Sequence, residues 1–281
     1  MKKRRSILVT AAFLLALTMS VTAFATDYTA SNGNELKTHL DAAVSGDVVG
    51  LSANVTLQNS AALKKGVALK SSDTSGRTLT VEDETTLSID LSAKVGDKVN
   101  IVTRYSGKVA FLTTDADGNN PTPVTSFVGA APKAGGKTAT LKDNKYYVDT
   151  NATNADIEIP VNAAFVEGRA GAVADYPGIS MFLVDESGIT RDSEGNITAV
   201  ASDKVYGGNY DAANQKAIFS NVPSKNKTYN IMVRVGGNGS YVETANDLIT
   251  YDSSGIKVEA KTLDWANLKA GRAYDAFTVT N

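Results

Sequence analysis

The chain contains no cysteine, a single histidine (His39) and a single tryptophan (Trp265). Without cysteine, thiol catalysis, thiolate metal sites and disulfide bonds are all excluded, although export would normally permit disulfides. Any serine–histidine pair or histidine metal site would have to be built around His39. Stability must therefore come from packing and from hydrogen bonding within sheets.

Long apolar runs are also scarce, and the only extended one lies in the leader MKKRRSILVTAAFLLALTMSVTAFA. Four basic residues precede an apolar run of about 15 residues that closes on Ala23-Phe24-Ala25, the arrangement of a secretory signal peptide over residues 1–25. The alternative, a membrane-spanning helix, needs about 20 apolar residues. We therefore expect a secreted or cell-surface protein with no transmembrane segment in the mature chain.

Positive charge is in the minority once the leader is set aside. The whole chain has 28 lysine and arginine residues and 30 aspartate and glutamate residues. The leader contributes four of the cations and none of the anions, so the mature chain carries a net negative charge. This balance argues against a nucleic-acid partner, which requires a basic face.

A short amphipathic segment follows the leader. Its apolar residues recur at the three- and four-residue intervals of one helical face: Leu36, Leu40, Ala43 and Val44. The pattern predicts a helix from Asn34 to Val44, started by Asn32 or Asn34 and ended by Gly46. His39 falls away from the apolar face, so we expect a solvated side chain there rather than a catalytic one.

Beyond this helix the hydrophobic period changes to about 2, which indicates short strands at close intervals. The helix and strands contain these stretches: Glu35-Leu36, Leu40-Asp41-Ala42, Gly46-Asp47-Val48-Val49, Asn54-Val55-Thr56-Leu57 and Gly66-Val67-Ala68-Leu69. Together, residues 31–91 resemble the helix-capped opening of the pectate-lyase-like β-helices of secreted bacterial proteins. The resemblance implies a short solenoid whose open end the helix covers. The strand pattern is expected to stop near Ser92, which leaves few subsites for a polymer.

From Ala93 onward, alternating runs separated by turns rich in glycine and asparagine predict about ten antiparallel strands. Two of these runs, ISMFLVDESG and YDAANQKAIFSNVPSKNKTYNIMVRV, contain the following set: Asp211, Phe219, Val222, Pro223, Tyr229, Ile231 and Val233. Through this set, residues 179–235 resemble the transthyretin-like β-sandwich of carboxypeptidase regulatory domains and collagen-adhesin B-type repeats. The glycine that usually follows the first aspartate of the template is absent here.

The predicted fold class is all-β. A short, capped, β-solenoid-like part at residues 26–91 is expected to precede one or two antiparallel β-sandwiches at residues 92–281. If two subdomains are present, their boundary is expected near residues 124–137, where Gly, Pro and Ala cluster without periodicity, or near residues 160–178.

Asp115, Asp117 and Asn119 have the alternating spacing of oxygen ligands in a calcium loop. The usual glutamate at the twelfth position is missing, because Ser126 stands there, and a plain hairpin turn is the alternative interpretation. The run from Asp192 to Asn196 offers the same two interpretations. No other cofactor is expected, and calcium bound at either place would be structural.

Aromatic side chains are the candidates for sugar binding, because sugar CH groups stack on ring faces. The residues considered are Trp265, Tyr206 and Tyr210, with Tyr146, Tyr147 and Tyr241 near other loops. Packing within strands is the alternative role for each of them. For lyase chemistry, the cations of the solenoid-like part (Lys64, Lys65, Lys70 and Arg77) have only Asp73 close in sequence. No catalytic residue is therefore predicted.

These patterns favour an exported, non-catalytic structural protein of the cell surface or extracellular matrix, including a self-associating subunit of a surface layer or fibre. The expected partners are further copies, other surface proteins or a polysaccharide, since unpaired sheet edges accept strands from other molecules. The strands considered for such exchange are Thr26–Asn32 and Ala273–Asn281. A glycan-binding adhesin is the alternative function, and a polysaccharide lyase is a third.

Overall fold

The computed structural model describes residues 25–162, 178–255, 257–262 and 277–280, and strands dominate these residues around one α-helix. The fold class is all-β, as the sequence predicts. The leader up to residue 24 and Trp265 lie outside the described residues. Within the described ranges, no helix combines the length and the apolar character needed to cross a membrane.

The amino-terminal half contains the helix α1 (Gly33–Ala42) and eleven strands. The strands are β1 (Asp27–Ala30), β2 (Val48–Leu51), β3 (Val55–Leu57), β4 (Ala61–Leu63), β5 (Ala68–Ser71), β6 (Arg77–Val81), β7 (Thr86–Asp90), β8 (Lys94–Val95), β9 (Val99–Thr103), β10 (Lys108–Thr113) and β11 (Thr122–Val124). Three parallel sheets have the orders β1-β2-β5-β8, β3-β6-β9 and β4-β7-β10, and β11 pairs antiparallel with β10. The chain thus winds through three coils, each adding one strand to every parallel sheet. We call residues 27–113 the parallel stack.

Aliphatic side chains lie above one another inside the parallel stack. Leu63 on the first coil pairs with Ile89 on the second, and Ile89 pairs with Phe111 on the third. All three side chains are buried. Because a shift of one residue would turn each inward side chain to the outside, this stacking fixes the register of the coils.

Helix α1 covers the first coil and contacts β1, β2, β3 and β4. Asn32 caps its start by accepting a hydrogen bond from the Glu35 N–H at 3.0 Å, and Glu35 accepts one from the Ser31 N–H at 2.8 Å. The first bond satisfies a donor that the first turn leaves unpaired, and the second ties Glu35 to the residue before the cap. Leu36 and Leu40 are buried against the strands. The predicted helix is confirmed, and of the two caps considered, Asn32 is the one observed. The helix begins at Gly33 and ends at Ala42, before Gly46.

Parallel pairing continues past the boundary that the sequence predicts at residue 91. β9 pairs in parallel with β6 over its whole length, and β10 pairs with β7 from Lys108 to Leu112. These strands show the same alternation of buried and exposed residues that an antiparallel strand would show. The hydrophobic period alone therefore does not distinguish parallel from antiparallel strands. The boundary predicted at residue 91 falls inside the parallel stack.

The remaining strands follow in chain order with two short 3-10 helices, Glu186–Gly188 and Ser202–Lys204. The strands are β12 (Lys133–Ala134), β13 (Lys137–Thr138), β14 (Thr140–Lys142), β15 (Lys145–Asp149), β16 (Asn154–Pro160), β17 (Ile179–Asp185), β18 (Ile189–Arg191), β19 (Ile197–Val200), β20 (Val205–Gly207), β21 (Asn209–Asp211), β22 (Lys216–Pro223), β23 (Lys227–Val235), β24 (Tyr241–Tyr251), β25 (Lys257–Ala260) and β26 (Phe277–Thr280).

Two sheets of this half share one hydrophobic core, and we call them the sandwich. Their orders are β13-β12-β16-β22-β21 and β14-β15-β24-β23-β17-β20. Ile157 and Phe219 from the first sheet and Leu183 and Ile231 from the second are buried in that core. Their pairings are antiparallel except for β15 with β24, which is parallel. β18 pairs with β19, and β25 with β26, in separate two-stranded sheets.

The sandwich covers the third-coil end of the parallel stack. The loop Gly236–Ser240, between β23 and β24, lies against β9. The Ser240 N–H donates to the Ile101 carbonyl at 2.9 Å, and the Asn238 N–H donates to Asn100 Oδ1 at 2.8 Å. The first bond occupies a backbone carbonyl that the last coil would otherwise leave unpaired, and the second holds the loop to a side chain of that coil. The parallel stack is thus covered at both ends, by α1 and by the sandwich.

Candidate functional site

An open groove of about 880 Å³ lies where the parallel stack, the β18–β19 hairpin and the start of β24 meet. One wall comes from residues 103–110, a second from Asp192–Val200, and the third from Ser240–Glu243. We call this feature the groove. It brings together three segments that are distant in sequence, because the sandwich docks on the third coil beside the β18–β19 hairpin.

Tyr105 stands at the edge of the groove with 82% of its surface exposed. Its backbone is in the left-handed region, with φ of 48°. The turn is held by a hydrogen bond from the Gly107 N–H to the Arg104 carbonyl at 2.8 Å. A left-handed conformation costs a residue with a side chain about 1–2 kcal/mol. The Tyr105 ring is therefore exposed to solvent in the groove wall, although its residue adopts an unfavourable backbone conformation.

Tyr241 lines the same groove, and its ring is fixed from behind. The Phe182 ring meets it edge to face at 5.5 Å between centroids. The Arg234 guanidinium lies 5.1 Å from the Tyr241 ring centroid and donates to its hydroxyl oxygen at 3.0 Å. Such packing and cation–π contacts hold the ring in one orientation. Tyr241 is thus a preorganised part of the groove wall.

Glu243 lies between the groove and an adjoining cleft of about 500 Å³. Arg191 binds the Glu243 carboxylate through both terminal nitrogens, at 3.0 Å for Nη1, and these hydrogen bonds raise the pKa of Arg191. In the cleft, Lys145 pairs with Asp247 at 3.1 Å, and that hydrogen bond raises the pKa of Lys145. Both shifts move a cation's pKa away from neutrality, whereas proton-transfer catalysis needs a pKa near neutrality.

Two strand segments in the groove walls have an unpaired edge within the described residues. The Lys108 N–H donates to the Thr85 carbonyl beside β7, so the neighbouring N–H and C=O of Val109 point to the opposite side. β11 reaches only Phe111 to Thr113 on that side, and Val109 lies beyond its end. β19 pairs with β18 along one edge, and its other edge has no strand beside it.

The start of β24 is a third such segment. β23 pairs with Tyr241–Glu243 on one side, but β15 on the other side pairs only with Asp247–Tyr251. Between these ranges, the Ala245 N–H donates to the Thr125 carbonyl at 2.7 Å. Tyr241–Glu243 therefore have no strand partner on their second side in the described part of the chain. Unpaired strand edges of this kind accept an extended segment from another molecule.

The predicted calcium ligands lie in a hydrogen-bonded turn outside the groove. Asp115 accepts from the Asn119 N–H and from Asn120 Nδ2, both at 2.7 Å, and the first of these bonds is the main cause of its lowered pKa. Asp117 contributes a backbone N–H to the same carboxylate. Asp192, the counterpart of Asp115, lies in the groove wall and accepts from the Asn196 side chain at 3.0 Å and from the Asn196 backbone at 2.8 Å. Among the described residues, no three histidine or acidic side chains are grouped to hold a metal ion.

Apart from Tyr241, the described candidates for sugar binding and lyase chemistry lie away from the groove. Tyr206 and Tyr210 are half-buried against the core, and the Tyr206 ring meets that of Tyr229 at 5.8 Å between centroids. Lys64 donates to carbonyls at the end of α1, and Arg77 pairs with Asp73. Among the groove aromatics, the sequence pattern singled out Tyr241 but not Tyr105. The neighbouring Ser-Gly turn was the only local signal for Tyr105.

Comparison with protein-family models found no match to this chain. Comparisons with curated proteins and with solved structures likewise found none. The groove and its surroundings are therefore the basis on which a function can be assigned.

Proposed function

We propose that this chain is an exported, non-catalytic structural protein of the cell surface or extracellular matrix that associates with further copies of itself. The observation that carries the proposal is the groove, whose walls contain three strand segments with no strand on one side within the described residues. Strand addition at such edges supplies main-chain hydrogen bonds without any catalytic group. A parallel stack covered at both ends is suited to holding these edges in fixed positions.

The charged side chains support the non-catalytic part of the proposal. In the described part of the chain, every aspartate or glutamate pKa that shifts is lowered, and shifted lysine and arginine pKa values are raised. Groups of this kind remain ionised at neutral pH. General acids and bases need the opposite tuning, toward neutrality.

Sedimentation velocity of residues 26–281 over a range of concentrations tests self-association. We expect reversible growth in sedimentation coefficient for the native sequence, and filaments or sheets in electron microscopy. Replacing the exposed groove residues Ala110 and Ala199 with glutamate should weaken association at least about tenfold, because a docking strand would bury unpaired charges. The matched control replaces the exposed turn residues Ala212 and Ala213 with glutamate and should associate normally. A native chain that stays monomeric at high concentration would refute the proposal.

Glycan binding is the second candidate function, and the exposed ring of Tyr105 favours it. A strained, solvent-facing tyrosine beside a groove is an arrangement that stacks on sugar rings. A panel of neutral and charged oligosaccharides, screened by glycan array, tests this candidate. Tyr105→Ala should abolish any binding found, whereas Tyr251→Ala, at a tyrosine that is 40% exposed and outside the groove, should not. Absence of binding across the array would eliminate this function.

A further inference from the structure

The ribbon formed by β25 and β26 pairs with no other strand among the described residues. Its register runs from Lys257 opposite Thr280 to Ala260 opposite Phe277. A two-stranded ribbon is marginally stable in water on its own, and each of its strands keeps one unpaired edge. β26 contains no charged residue, and Val279 is 65% exposed. β26 is thus a neutral edge strand that would gain stability from a third strand.

The other sheet edges in the described ranges are less suited to pairing with a strand from another molecule. The outer strands of the sandwich, β13, β14, β20 and β21, have only two or three residues each. Edge strands as short as these resist pairing with another chain. At the ends of the parallel stack, α1 packs over the first coil, and the loop Gly236–Ser240 bonds to part of the third coil. The ribbon and the groove are therefore the best-matched open edges in the described part of the chain.

Length and charge match β26 to the groove. β26 and β19 each have four residues, so both extend over about 13 Å. The groove walls include the uncharged residues Ala110, Ala199 and Val200. Two of the charged residues that also line it already have partners: Arg191 binds Glu243, and Asn196 donates to Asp192. A neutral strand enters such a site without burying an unpaired charge, whereas a charged strand would incur a large desolvation penalty.

We propose that β26 of one copy adds as a strand to the free edge of β19 in the groove of a second copy. This inference rests on the proposed function and names the contact through which the copies associate. The donor and acceptor surfaces are different parts of the chain, so the contact is heterologous. Heterologous contacts that do not close into a ring continue indefinitely. The expected assembly is an open filament rather than a closed dimer.

The absence of native cysteine allows the contact to be tested by disulfide trapping. Thr278 is exposed on β26, and Ala199 is exposed on β19. Neighbouring strands bring opposed Cα atoms to about 4.5–5.5 Å, within reach of a disulfide. The double variant Thr278→Cys with Ala199→Cys should form a ladder of linked multimers under mild oxidation. The control pair, Thr278→Cys with Ala213→Cys, should form such links at least about tenfold more slowly.

Mixing the two single variants identifies the partner surfaces. Thr278→Cys protein and Ala199→Cys protein should form a linked dimer that contains one copy of each, with residues 278 and 199 joined in a tryptic peptide found by mass spectrometry. Links confined to 278–278 pairs would mean that ribbons pair with each other and would overturn the inference. A 278–199 link within one chain would overturn it as well.

Sedimentation separates failure of this inference from failure of the proposed function. If the native chain associates but the 278–199 link does not form, the inference is wrong and the proposed function stands. If the native chain remains monomeric, both are wrong. A second variant, Val279→Lys, should weaken association at least about tenfold, while Val44→Lys, at another exposed valine, should leave it unchanged. Equal association of the two variants would overturn the inference.

Discussion

Gly236→Ala tests whether the sandwich is docked tightly on the parallel stack. Gly236 lies in the loop Gly236–Ser240 with φ of +85°. A Cβ atom at this position would meet the Val99 carbonyl oxygen at 2.0 Å and the Asn100 Cα at 2.7 Å. Both contacts are with backbone, which moves only if the two halves separate. The substitution therefore probes the contact between the halves and not the loop alone.

The expected destabilisation has two parts. The left-handed conformation costs an alanine about 1–2 kcal/mol. Forcing an extra methyl group into packed backbone costs about 1–3 kcal/mol more. Gly118→Ala supplies the matched control, because Gly118 has φ of +76° and no heavy atom lies within 4 Å of the place that an alanine methyl group would take there. That variant should lose only the conformational part.

Urea unfolding followed by tyrosine fluorescence measures both variants. Gly236→Ala should lose about 2–5 kcal/mol in the free energy of unfolding, and Gly118→Ala about 1–2 kcal/mol. Losses that agree within about 0.5 kcal/mol would refute the reasoning, because they would show that no close backbone contact exists at Gly236. A second transition in the Gly236→Ala curve alone would indicate that the two halves have separated.

Three further predictions concern charge and strain. Asp185→Asn should lower the free energy of unfolding by about 1–3 kcal/mol in urea at pH 7, because it removes the ion-pair partner of Lys227. The Asp185 side chain is only 5% exposed and that of Lys227 is 32% exposed. A loss under about 0.5 kcal/mol would contradict this prediction. Hydrogen bonds, chiefly from Ser254, lower the pKa of Asp252 from 3.8 to about 2. Its stabilising effect is therefore complete above the unfolded-state pKa and is lost as the pH falls through the folded-state pKa, so Asp252→Asn should flatten the decline in unfolding free energy between about pH 4 and pH 2; an unchanged slope would count against it. Tyr105→Gly should leave the unfolding free energy unchanged or raise it by up to about 1 kcal/mol, because it relieves a left-handed tyrosine; a clear loss would show that the ring is structural.

Local features of the fold could be predicted because they depend on neighbouring residues. The start of α1 follows from Asn32 and Glu35, which lie three residues apart. The Asn32 side chain accepts from the Glu35 N–H, and the Glu35 carboxylate accepts from the Ser31 N–H. The buried face of the helix follows from the spacing of Leu36 and Leu40. Strand partners could not be predicted, because alternation looks the same in both orientations. The third coil was accordingly expected to be antiparallel.

The candidate site was harder to predict than the fold, because its walls come from three separate parts of the chain. Tyr105, Val200 and Tyr241 meet only when the sandwich docks on the third coil. None of the three segments carries a motif of its own. Tyr206 and Tyr210 were candidates for sugar binding from the sequence, as Tyr241 was, yet both pack against the core. Their burial depends on the opposite sheet, which local sequence does not reveal.

The parallel stack is covered by different elements at its two ends: α1 packs on the first coil, and the loop Gly236–Ser240 bonds to the third coil. A coil inserted between the second and third would meet strands in the same orientation on both sides. Each insertion would move the groove about 4.8 Å further from α1 and leave both covers intact. The distance between α1 and the groove can therefore increase by one coil at a time, without a change in the elements that cover either end of the parallel stack.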